Sequence, residues 1–410
     1  MKYKLLVLDV DGTLLNDKKE VAPSTLTAIR MVQQMGMQVV LASGRSTHGL
    51  RPIAHTLELD KYNGYIMSYN GGQIINMQTN ELLFERRISP KEIPYIERTA
   101  KKNGFPLLTY HLDTLITNDA SNRHVQEEAA RNNMRIEEVA ELAFHITFSP
   151  CKCMIVGDDE PEIAALEAML KKRLSGSLDV FRSEPFFLEV VPPLINKADT
   201  LGVLMEKLSV APEEMIAIGN GPCDIGMIQM AGLGIAMANA GEQVQRCADY
   251  VTASNEEDGV AKAIEEHILS KIRPADIPLE EMNLRSRHSL TGNLGIQYTY
   301  ASEGRVEATM PVDERTRQPF GILHGGATLA LAETVAGFGS MILCRPDETM
   351  VGMQVSGNHV SSAREGDTVR AVAAIVHKGR SSHVWNVDVF TSTDKLVSTV
   401  RVVNSILKKR

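Results

Sequence analysis

The hydrophobic pattern of this chain changes at SKIRPADIPLEE, residues 270–281. Before this segment, short apolar runs alternate with amphipathic stretches, as in a sheet flanked by helices. After it, one long stretch of small residues precedes several runs in which apolar and polar residues alternate. Because two prolines within five residues interrupt regular structure, the segment predicts a boundary between modules. A length of 410 residues also favours two or three domains over one core.

The first module has the pattern of a parallel sheet. Apolar runs at 5–10, 37–43 and 214–220 predict buried strands, and residues 24–36 and 197–208 have helical periodicity. Strands that alternate with helices form parallel sheets, whose ligands bind at the carboxyl ends of the strands. The predicted fold class of this module is therefore α/β.

The section between these strands has helix and strand signals of its own, which predict an inserted domain. The second module begins with GATLALAETVAGFGSMIL and continues with alternating strands, so it predicts one helix against an antiparallel sheet, an α+β arrangement. The predicted limits are a core over 1–82 and 190–270, an α/β cap over 83–189, a linker over 271–282 and the α+β module over 283–410.

The sequence Asp9-Val-Asp11-Gly-Thr13 follows the first predicted strand directly. Carboxylates two residues apart at a strand end can divide the work of group transfer, because one attacks while the other acts as acid and base. Gly12 allows the tight turn that this arrangement needs. The alternative is that Asp9 and Asp11 belong to a solvent-exposed turn with no catalytic role.

Four segments in order resemble the haloacid dehalogenase superfamily of phosphohydrolases, in its Cof-type branch with a large α/β cap on a Rossmann-like core. They are DVDGT (9–13), LASGR (41–45), FLEVVPPLINKADTL (187–201) and IAIGNGPCDIGM (216–227). The resemblance implies that Asp9 and Asp11 are catalytic, that Ser43 holds the phosphoryl group and that Lys197 neutralises its oxygens. It also implies that Asn70, in SYNGG, contacts a small phosphate ester.

The same resemblance implies a Mg²⁺ site formed by Asp9, Asp11, Asn220 and Asp224, and here the chain departs from the family. The family pattern is Gly-Asp-x-x-Asn-Asp, whereas residues 219–224 read GNGPCD. Asn220 retains an oxygen for a hard cation but removes one negative charge, and Cys223 replaces an amide. Two alternatives stay open: a weak or substrate-restricted phosphatase, or a structural or regulatory remnant.

A second set of candidate residues lies in RQPFGILHGGATLALAETVAG, residues 317–337. His324 and Gly325 precede a helix whose first N–H groups and positive dipole end would stabilise the oxyanion of a thioester. Glu333 is the single acid in a small, apolar stretch, and a buried lone carboxylate predicts a function. The alternative is that His324 and the two glycines after it only form the turn that begins the helix.

This segment resembles the hotdog-fold acyl-CoA thioesterases, closest to those that hydrolyse 1,4-dihydroxy-2-naphthoyl-CoA in menaquinone synthesis. The resemblance implies that Glu333 is nucleophile or general base, that Gln318 orients water or leaving group, and that His324 and Gly325 polarise the carbonyl. It implies no cofactor and a site shared across a homodimer or a tetramer. The residues implied to contact acyl-CoA are Asn358, His359, Ser361, Ser362, Arg380 and Ser381. One departure is Gly337, where that group often has Ser or Thr.

The composition argues against several other classes of protein. The chain is 43% hydrophobic and 23% charged, typical of a globular protein, and no aromatic-studded basic patch indicates nucleic acid. No apolar run approaches the ~20 residues of a membrane helix, so no membrane partner is expected. Five scattered cysteines favour structural thiols in a cytoplasmic protein. Residues 271–410 hold 17 Lys and Arg against 14 Asp and Glu, and residues 1–270 hold 26 against 37, which suggests an anionic ligand for the second module.

The favoured interpretation is a thioesterase for an aromatic acyl-CoA, fused to a phosphohydrolase module of weak or restricted activity. One rival is a thioesterase with broader aryl or medium-chain specificity. A second rival makes the chain primarily a Mg²⁺-dependent phosphatase, with the hotdog domain as an oligomerisation platform. A third gives the phosphohydrolase half only a tethering or regulatory role.

Overall fold

A computed structural model of the chain describes residues 2–271, 279–345 and 347–408. They divide into two compact units, Met1–Glu266 and His267–Arg410. Of the predicted linker, residues 272–278 lie outside the described residues, and residues 279–282 already belong to a helix.

The first unit contains two sheets. Its strands, in chain order, are β1 (Leu5–Leu8), β2 (Gln38–Ala42), β3 (Tyr65–Ser68), β4 (Gln73–Asn76), β5 (Leu82–Glu85), β6 (Leu107–His111), β7 (Thr114–Thr117), β8 (Arg135–Glu138), β9 (Cys153–Val156), β10 (Asp179–Glu184), β11 (Phe187–Val191), β12 (Met215–Gly219), β13 (Leu233–Ala236) and β14 (Tyr250–Val251).

Helices connect these strands. They are α1 (Pro23–Gln34), α2 (Thr47–Thr56), α3 (Ile93–Lys102), α4 (Arg123–Arg131), α5 (Leu142–His145), α6 (Glu160–Leu174), α7 (Lys197–Leu208), α8 (Ile225–Met230), α9 (Glu242–Arg246) and α10 (Gly259–His267). Single 3₁₀ turns lie at Pro212–Glu214, Pro222–Asp224, Asn255–Glu257 and Leu269–Lys271.

The larger sheet is the predicted α/β core. Its order is β14-β13-β12-β1-β2-β3-β4-β5, parallel from β14 to β3 and antiparallel over β4 and β5. The central strand β1 is fully buried and pairs with β12 on one side and β2 on the other. All three contain an apolar run read from the sequence, and their carboxyl ends meet at one edge.

The smaller sheet forms the inserted α/β cap, with the order β10-β11-β9-β6-β7-β8. Leu107 and Leu108 alternate along β6 and pack into two different hydrophobic clusters, one on each face. Since β5 pairs with the core sheet and β11 with the cap sheet, the chain enters the cap after Glu85 and leaves it after Val191.

The second unit is an antiparallel sheet around one helix, as expected for a hotdog fold. Its elements are α11 (Leu279–Ser286), α12 (Leu290–Asn293), β15 (Gln297–Ser302), β16 (Arg305–Pro311), α13 (Gly325–Leu343), β17 (Glu348–His359), β18 (Thr368–Lys378), β19 (Ser382–Phe390) and β20 (Leu396–Lys408). The strand order is β15-β16-β18-β19-β20-β17, and every pairing is antiparallel.

Small residues bring α13 close to the sheet. A Cβ on Gly339 would lie 2.5 Å from the Trp385 ring, so only glycine allows this approach. Ser340 next to it accepts hydrogen bonds from Trp385 Nε1 and Asn404 Nδ2, both at 2.8 Å. These bonds fix the helix against β19 and β20 and satisfy polar groups that are fully buried.

Helix α13 corrects the expectation that no apolar run approaches membrane-spanning length. Among the described residues, this helix has 19 residues and a mean hydropathy of 1.4, so by length and composition alone it could cross a membrane. Of its most apolar 18 residues, 56% are buried within the protein. A core helix of a soluble protein passes the same test, because both must be apolar.

Candidate active sites

The first candidate site lies at the carboxyl edge of the core sheet. Asp9 follows β1, Ser43 follows β2 and Asn220 follows β12, while Lys197 begins α7. All of them line one cavity of about 290 Å³, to which residues of the cap also contribute. The fold therefore brings together residues that are up to 211 positions apart in the sequence.

Lys197 links the two buried carboxylates of this site. Its Nζ donates to Asp9 Oδ1 and Asp224 Oδ1, both at 2.7 Å. Burial and the charge of Asp224 raise the pKa of Asp9 to about 7, against the opposing effect of Lys197. Burial alone would lower the pKa of Lys197, but Asp224 and Asp9 raise it well above its usual value. Lys197 is therefore charged and placed to neutralise added negative charge.

Arg45, which the sequence reasoning did not single out, holds Asp11. Its Nε donates to Oδ2 at 2.7 Å and its Nη2 to Oδ1 at 2.6 Å, a bidentate pair. Burial opposes ionisation of Asp11, but the hydrogen bonds and charge of Arg45 outweigh it and lower the pKa of Asp11. The sequence could have indicated Arg45 as a site residue, because it lies two residues after Ser43 in the LASGR segment.

Asn70 and the cap close the site from the other side. The Asn70 N–H donates to the Ser43 carbonyl at 2.9 Å, and its Nδ2 donates to Glu189 Oε2 at 3.4 Å. Glu189 pairs with Lys152 at 3.3 Å, and both side chains are almost fully buried. Neither cap residue was predicted. They lie 37 positions apart and meet only because β9 pairs with β11.

Asp224 stands behind Asn220. One of its oxygens accepts from Lys197, and the other accepts from the backbone N–H groups of Asn220 at 3.0 Å and Gly221 at 2.8 Å. Cys223, in the position of the family's second amide, places its Sγ 3.7 Å from Asp224 Oδ1. The Asp224 carboxylate thus fixes the loop that carries Asn220.

The Asn220 side chain faces a cluster of oxygens. The oxygen and nitrogen of its amide have nearly the same shape, and the surroundings favour the nitrogen facing this cluster. In one orientation, Oδ1 accepts from Thr13 Oγ1 at 2.9 Å. With the amide turned over, the nitrogen takes that position, 3.0 Å from Asp9 Oδ2, 3.1 Å from the Asp11 carbonyl oxygen and 2.9 Å from Thr13 Oγ1.

These spacings fit a magnesium ion. At metal–oxygen distances of about 2.1 Å, adjacent ligands in an octahedron lie about 3.0 Å apart. An Asn220 oxygen has this separation both from Asp9 Oδ2, at 3.0 Å, and from the Asp11 carbonyl oxygen, at 3.1 Å. The Asp11 carboxylate is held by Arg45 instead, and within the described ranges no cluster of three or more His, Cys, Asp or Glu has the arrangement of a metal site.

The second candidate site begins at the start of α13. His324 caps the helix, and its Nδ1 accepts from the Gly326 N–H at 2.8 Å. Gln318 lies in the preceding loop, where its N–H donates to Ile322 O and its carbonyl accepts from Gly321. In the part of the chain that the structure describes, the Gly325 N–H has no protein acceptor. This group is therefore available to a ligand.

Strand β17 places His359 beside this helix start. A Cβ on Gly325 would lie 2.7 Å from His359 Nε2, and the other ring nitrogen of His359 is 2.8 Å from Ser398 Oγ. The preceding Asn358 is exposed. His359 is itself exposed and is thus not a histidine of the hydrophobic core.

Glu333 lies farther along α13, at a separate cavity of about 400 Å³ whose lining includes Tyr298, Phe338 and Met350. A Cβ on Gly352 of β17 would lie 2.6 Å from Glu333 Oε1, so the strand and the carboxylate are in close contact. The pairing of β17 shifts register next to Gly352. The expectation of a buried carboxylate was wrong for the single chain, since Glu333 is exposed.

The remaining predicted contacts are spread over the sheet. Ser361 and Ser362 follow β17, and Ser361 Oγ donates to Leu396 O at 2.5 Å. Arg380 and Ser381 lie at the turn between β18 and β19, where Ser381 O accepts from Ile406 N. Ile406 pairs with Met350, at the opposite end of β17 from His359. One chain therefore does not bring Arg380 and Ser381 to Gly325.

Comparisons with known proteins support the predicted family of each unit. Residues 6–264 match the haloacid dehalogenase-like hydrolases, and residues 320–398 match the thioesterase superfamily. The chain belongs to the haloacid dehalogenase-like hydrolases and carries a second unit of the thioesterase superfamily. The predicted families, the fold class and the assignment as a hydrolase are confirmed.

Individual relatives cover each half separately. The chain is 32% identical over 267 residues to 5-amino-6-(5-phospho-D-ribitylamino)uracil phosphatase of Bacillus subtilis, which covers 65% of this chain and 96% of the relative. It is 38% identical over 131 residues to 1,4-dihydroxy-2-naphthoyl-CoA hydrolase of Escherichia coli, covering 32% of this chain and 96% of the relative. A crystal structure of a haloacid dehalogenase-like hydrolase from Bacteroides thetaiotaomicron is 45% identical, with a TM-score of 0.62 over 64% of this chain and 99% of that one.

Proposed function

We propose that the second unit hydrolyses an aromatic acyl-CoA, with 1,4-dihydroxy-2-naphthoyl-CoA as its substrate. The observation that carries this proposal is the position of Glu333, an ionisable group on the wall of a cavity lined by Tyr298, Phe338 and Met350. Such walls favour a flat aromatic acyl group, because aromatic rings and methionine pack well against it. The similarity to the Escherichia coli enzyme supports the same substrate.

The proposed chemistry uses a few groups of this chain. The free Gly325 N–H, at the positive end of α13, stabilises the oxyanion that forms when the thioester carbonyl is attacked. Glu333 takes the proton of the attacking water, or attacks the carbonyl itself to form an anhydride that water then hydrolyses, and Gln318 orients the water or the leaving group. The C–S bond breaks, the CoA thiolate leaves and takes up a proton, and the free acid remains.

This site needs a second copy of the chain. Gly325 and Glu333 are eight residues apart on one helix, so they lie about 12 Å apart along its axis at 1.5 Å per residue. A nucleophile must approach within about 3 Å of a carbonyl carbon whose oxygen is bound by Gly325 N–H. We therefore propose a homodimer, or a tetramer built from it, in which Glu333 of one chain faces Gly325 of the other.

Strand β17 offers a surface for this association. It is an edge strand, and its Val351 and Met353 side chains are 44% and 63% exposed. An edge strand with exposed apolar residues is a template for pairing with another chain. Because β17 contacts Gly325 through His359 and Glu333 through Gly352, its pairing would place two candidate sites next to the interface.

We propose for the first unit a phosphomonoesterase activity of weak or restricted scope, in the cytoplasm. Asp9 attacks the phosphorus and the bond to the leaving oxygen breaks, while Ser43 donates a hydrogen bond and Lys197 neutralises charge. Asp11, once it is released from Arg45 and protonated, gives its proton to the leaving oxygen. As a carboxylate it then takes a proton from the water that hydrolyses the aspartyl phosphate and releases inorganic phosphate. Asp9 Oδ2, the Asp11 carbonyl and Asn220 would hold Mg²⁺, which when bound supplies charge to stabilise the phosphoryl oxygens. The ring of supporting contacts around Asp9 favours this function over a purely structural role.

A panel of aromatic, medium-chain and long-chain acyl-CoA thioesters tests the first proposal through release of free thiol. The aromatic substrates should have the highest kcat/KM, and Glu333→Ala should lose turnover while circular dichroism stays unchanged. Equal turnover of medium-chain substrates would support broader specificity. Wild-type turnover in Glu333→Ala would refute the assignment.

Release of inorganic phosphate from a broad set of phosphate esters, with Mg²⁺ present, tests the second proposal. Asp9→Asn should abolish it, because the amide is a poor nucleophile. The matched control is Asp249→Asn, a carboxylate of the same unit that accepts from the Gly234 N–H outside the cavity. If no ester is hydrolysed in an Asp9-dependent way, the first unit is not a phosphatase.

A further inference from the structure

The amide of Asn220 is placed to substitute for a cation. In one orientation its oxygen faces Asp9 Oδ2 and the Asp11 carbonyl oxygen at 3.0 and 3.1 Å. Acceptor oxygens at such distances repel each other unless a cation lies between them. In the other orientation the nitrogen shares its two hydrogens among Asp9, Asp11 and Thr13, and the repulsion becomes attraction.

A carboxylate at residue 220 has no second orientation. It would present oxygen toward Asp9 however it rotates, and two carboxylates about 3 Å apart cannot both ionise without a cation between them. Asn220 is therefore the feature that satisfies the loop without an ion. The surroundings support this arrangement, because Asn220 N–H is tied to Asp224 and its side chain packs within 2.5 Å of a Cβ position on Gly12.

We propose that the Asn220 amide has two working orientations. With nitrogen inward, it seals a metal-free site by hydrogen bonds to Asp9 Oδ2, the Asp11 carbonyl and Thr13. With oxygen inward, it becomes a ligand for a divalent cation. This proposal deepens, and rests on, the phosphohydrolase function of the first unit.

The consequence is a loosely held ion. Binding must break the inward hydrogen bonds and turn the amide, and the bound ion then meets one carboxylate, Asp9, instead of two. Both effects lower the affinity for a hard divalent cation, whose binding depends on ligand charge. Asn220→Asp removes the hydrogen-bond donor and adds the charge, so it should convert the site to one that requires the ion.

The test compares the full-length protein with Asn220→Asp in EDTA and in 10 mM MgCl₂, by scanning calorimetry and isothermal titration with Mg²⁺. We expect the wild-type melting temperature to change by less than about 1 °C between these conditions. Asn220→Asp should melt lower than the wild type in EDTA, recover by about 5 °C with Mg²⁺, and bind Mg²⁺ at least about tenfold more tightly.

Asn103→Asp is the matched control, because it also adds a charge and removes an amide donor. Asn103 Nδ2 donates to Thr99 O at the end of α3 and lies outside the cavity. This variant should lose some stability without any dependence on Mg²⁺. Asn220→Ala should likewise be less stable than the wild type and indifferent to Mg²⁺.

Three outcomes overturn the proposal. The first is a Mg²⁺-dependent rise of several degrees in the wild type, and the second is identical Mg²⁺ binding in Asn220→Asp and wild type. The third is an Asn220→Asp protein that does not fold even with Mg²⁺ present. None of these outcomes depends on turnover, so a failure here is distinguishable from loss of the proposed phosphatase, which Asp9→Asn measures separately.

Discussion

Replacing Gly352 with alanine should displace the Glu333 carboxylate while the second unit stays folded. The new Cβ would lie 2.6 Å from Glu333 Oε1, whereas an ordinary van der Waals contact is 3.4–4 Å. The carboxylate must therefore move by roughly 1 Å. Because it ends an exposed, flexible side chain, the backbone has no reason to move instead.

This displacement predicts a loss of rate without a loss of stability. A misplacement of about 1 Å costs roughly 100-fold in turnover, equivalent to about 2.7 kcal/mol of transition-state free energy. Alanine in a strand is more favourable than glycine by about 0.5–1 kcal/mol, so the melting temperature should stay the same or rise slightly.

The assay is release of CoA thiol from an aromatic acyl-CoA, together with the melting temperature of each variant. Gly357→Ala is the matched control, because it adds the same methyl group to the same strand but meets Leu329 Cδ2 at 2.9 Å instead of the carboxylate. Its kcat/KM should stay within about threefold of wild type. Unchanged turnover in Gly352→Ala, with wild-type stability, would refute the positioning of Glu333 by β17.

Two further predictions concern stability. Lys197→Ala leaves Asp9 and Asp224 buried without a counter-charge, so the free energy of unfolding of the first unit should fall by about 3–5 kcal/mol in urea titrations followed by circular dichroism. Ser340→Ala removes the acceptor of the buried Trp385 Nε1–H, which should lower the stability of the second unit by about 1–3 kcal/mol. Trp385 is the single tryptophan of the chain, so its fluorescence reports that transition directly.

Much of the core sheet could be predicted, because its signals are local. Continuous apolar runs mark β1, β2 and β12. Helix α7 covers the predicted residues 197–208, and Asn196 caps its start by accepting from the Asp199 N–H. Polar residues that end adjacent parallel strands must meet at one edge, which placed Asp9, Ser43 and Asn220 together.

The contacts that tune these sites were not predictable from single positions. Arg45 reaches Asp11, and Lys152 reaches Glu189, only through the packing of loops and strands that are distant in the sequence. The hydrogen bonds of the inward-facing Asn220 nitrogen depend on distances to Asp9 and to a backbone carbonyl, which no residue pattern specifies.

The second unit shows a different limit of prediction from sequence. The absence of charge around Glu333 predicted burial, yet the residue is exposed in the single chain because the neighbouring strand β17 is an edge. In the homodimer that we propose, the sequence pattern reflects burial in the assembly, so it overstates burial in one copy.

The most direct test of the central claim is the kcat/KM for hydrolysis of 1,4-dihydroxy-2-naphthoyl-CoA by the full-length protein and by Glu333→Gln. Glutamine keeps the size of the side chain and removes its charge and basicity. We predict thiol release by the wild type and a loss of at least about 1000-fold in the variant at unchanged melting temperature. Turnover by Glu333→Gln at the wild-type rate, or no wild-type turnover of any acyl-CoA, would contradict the account.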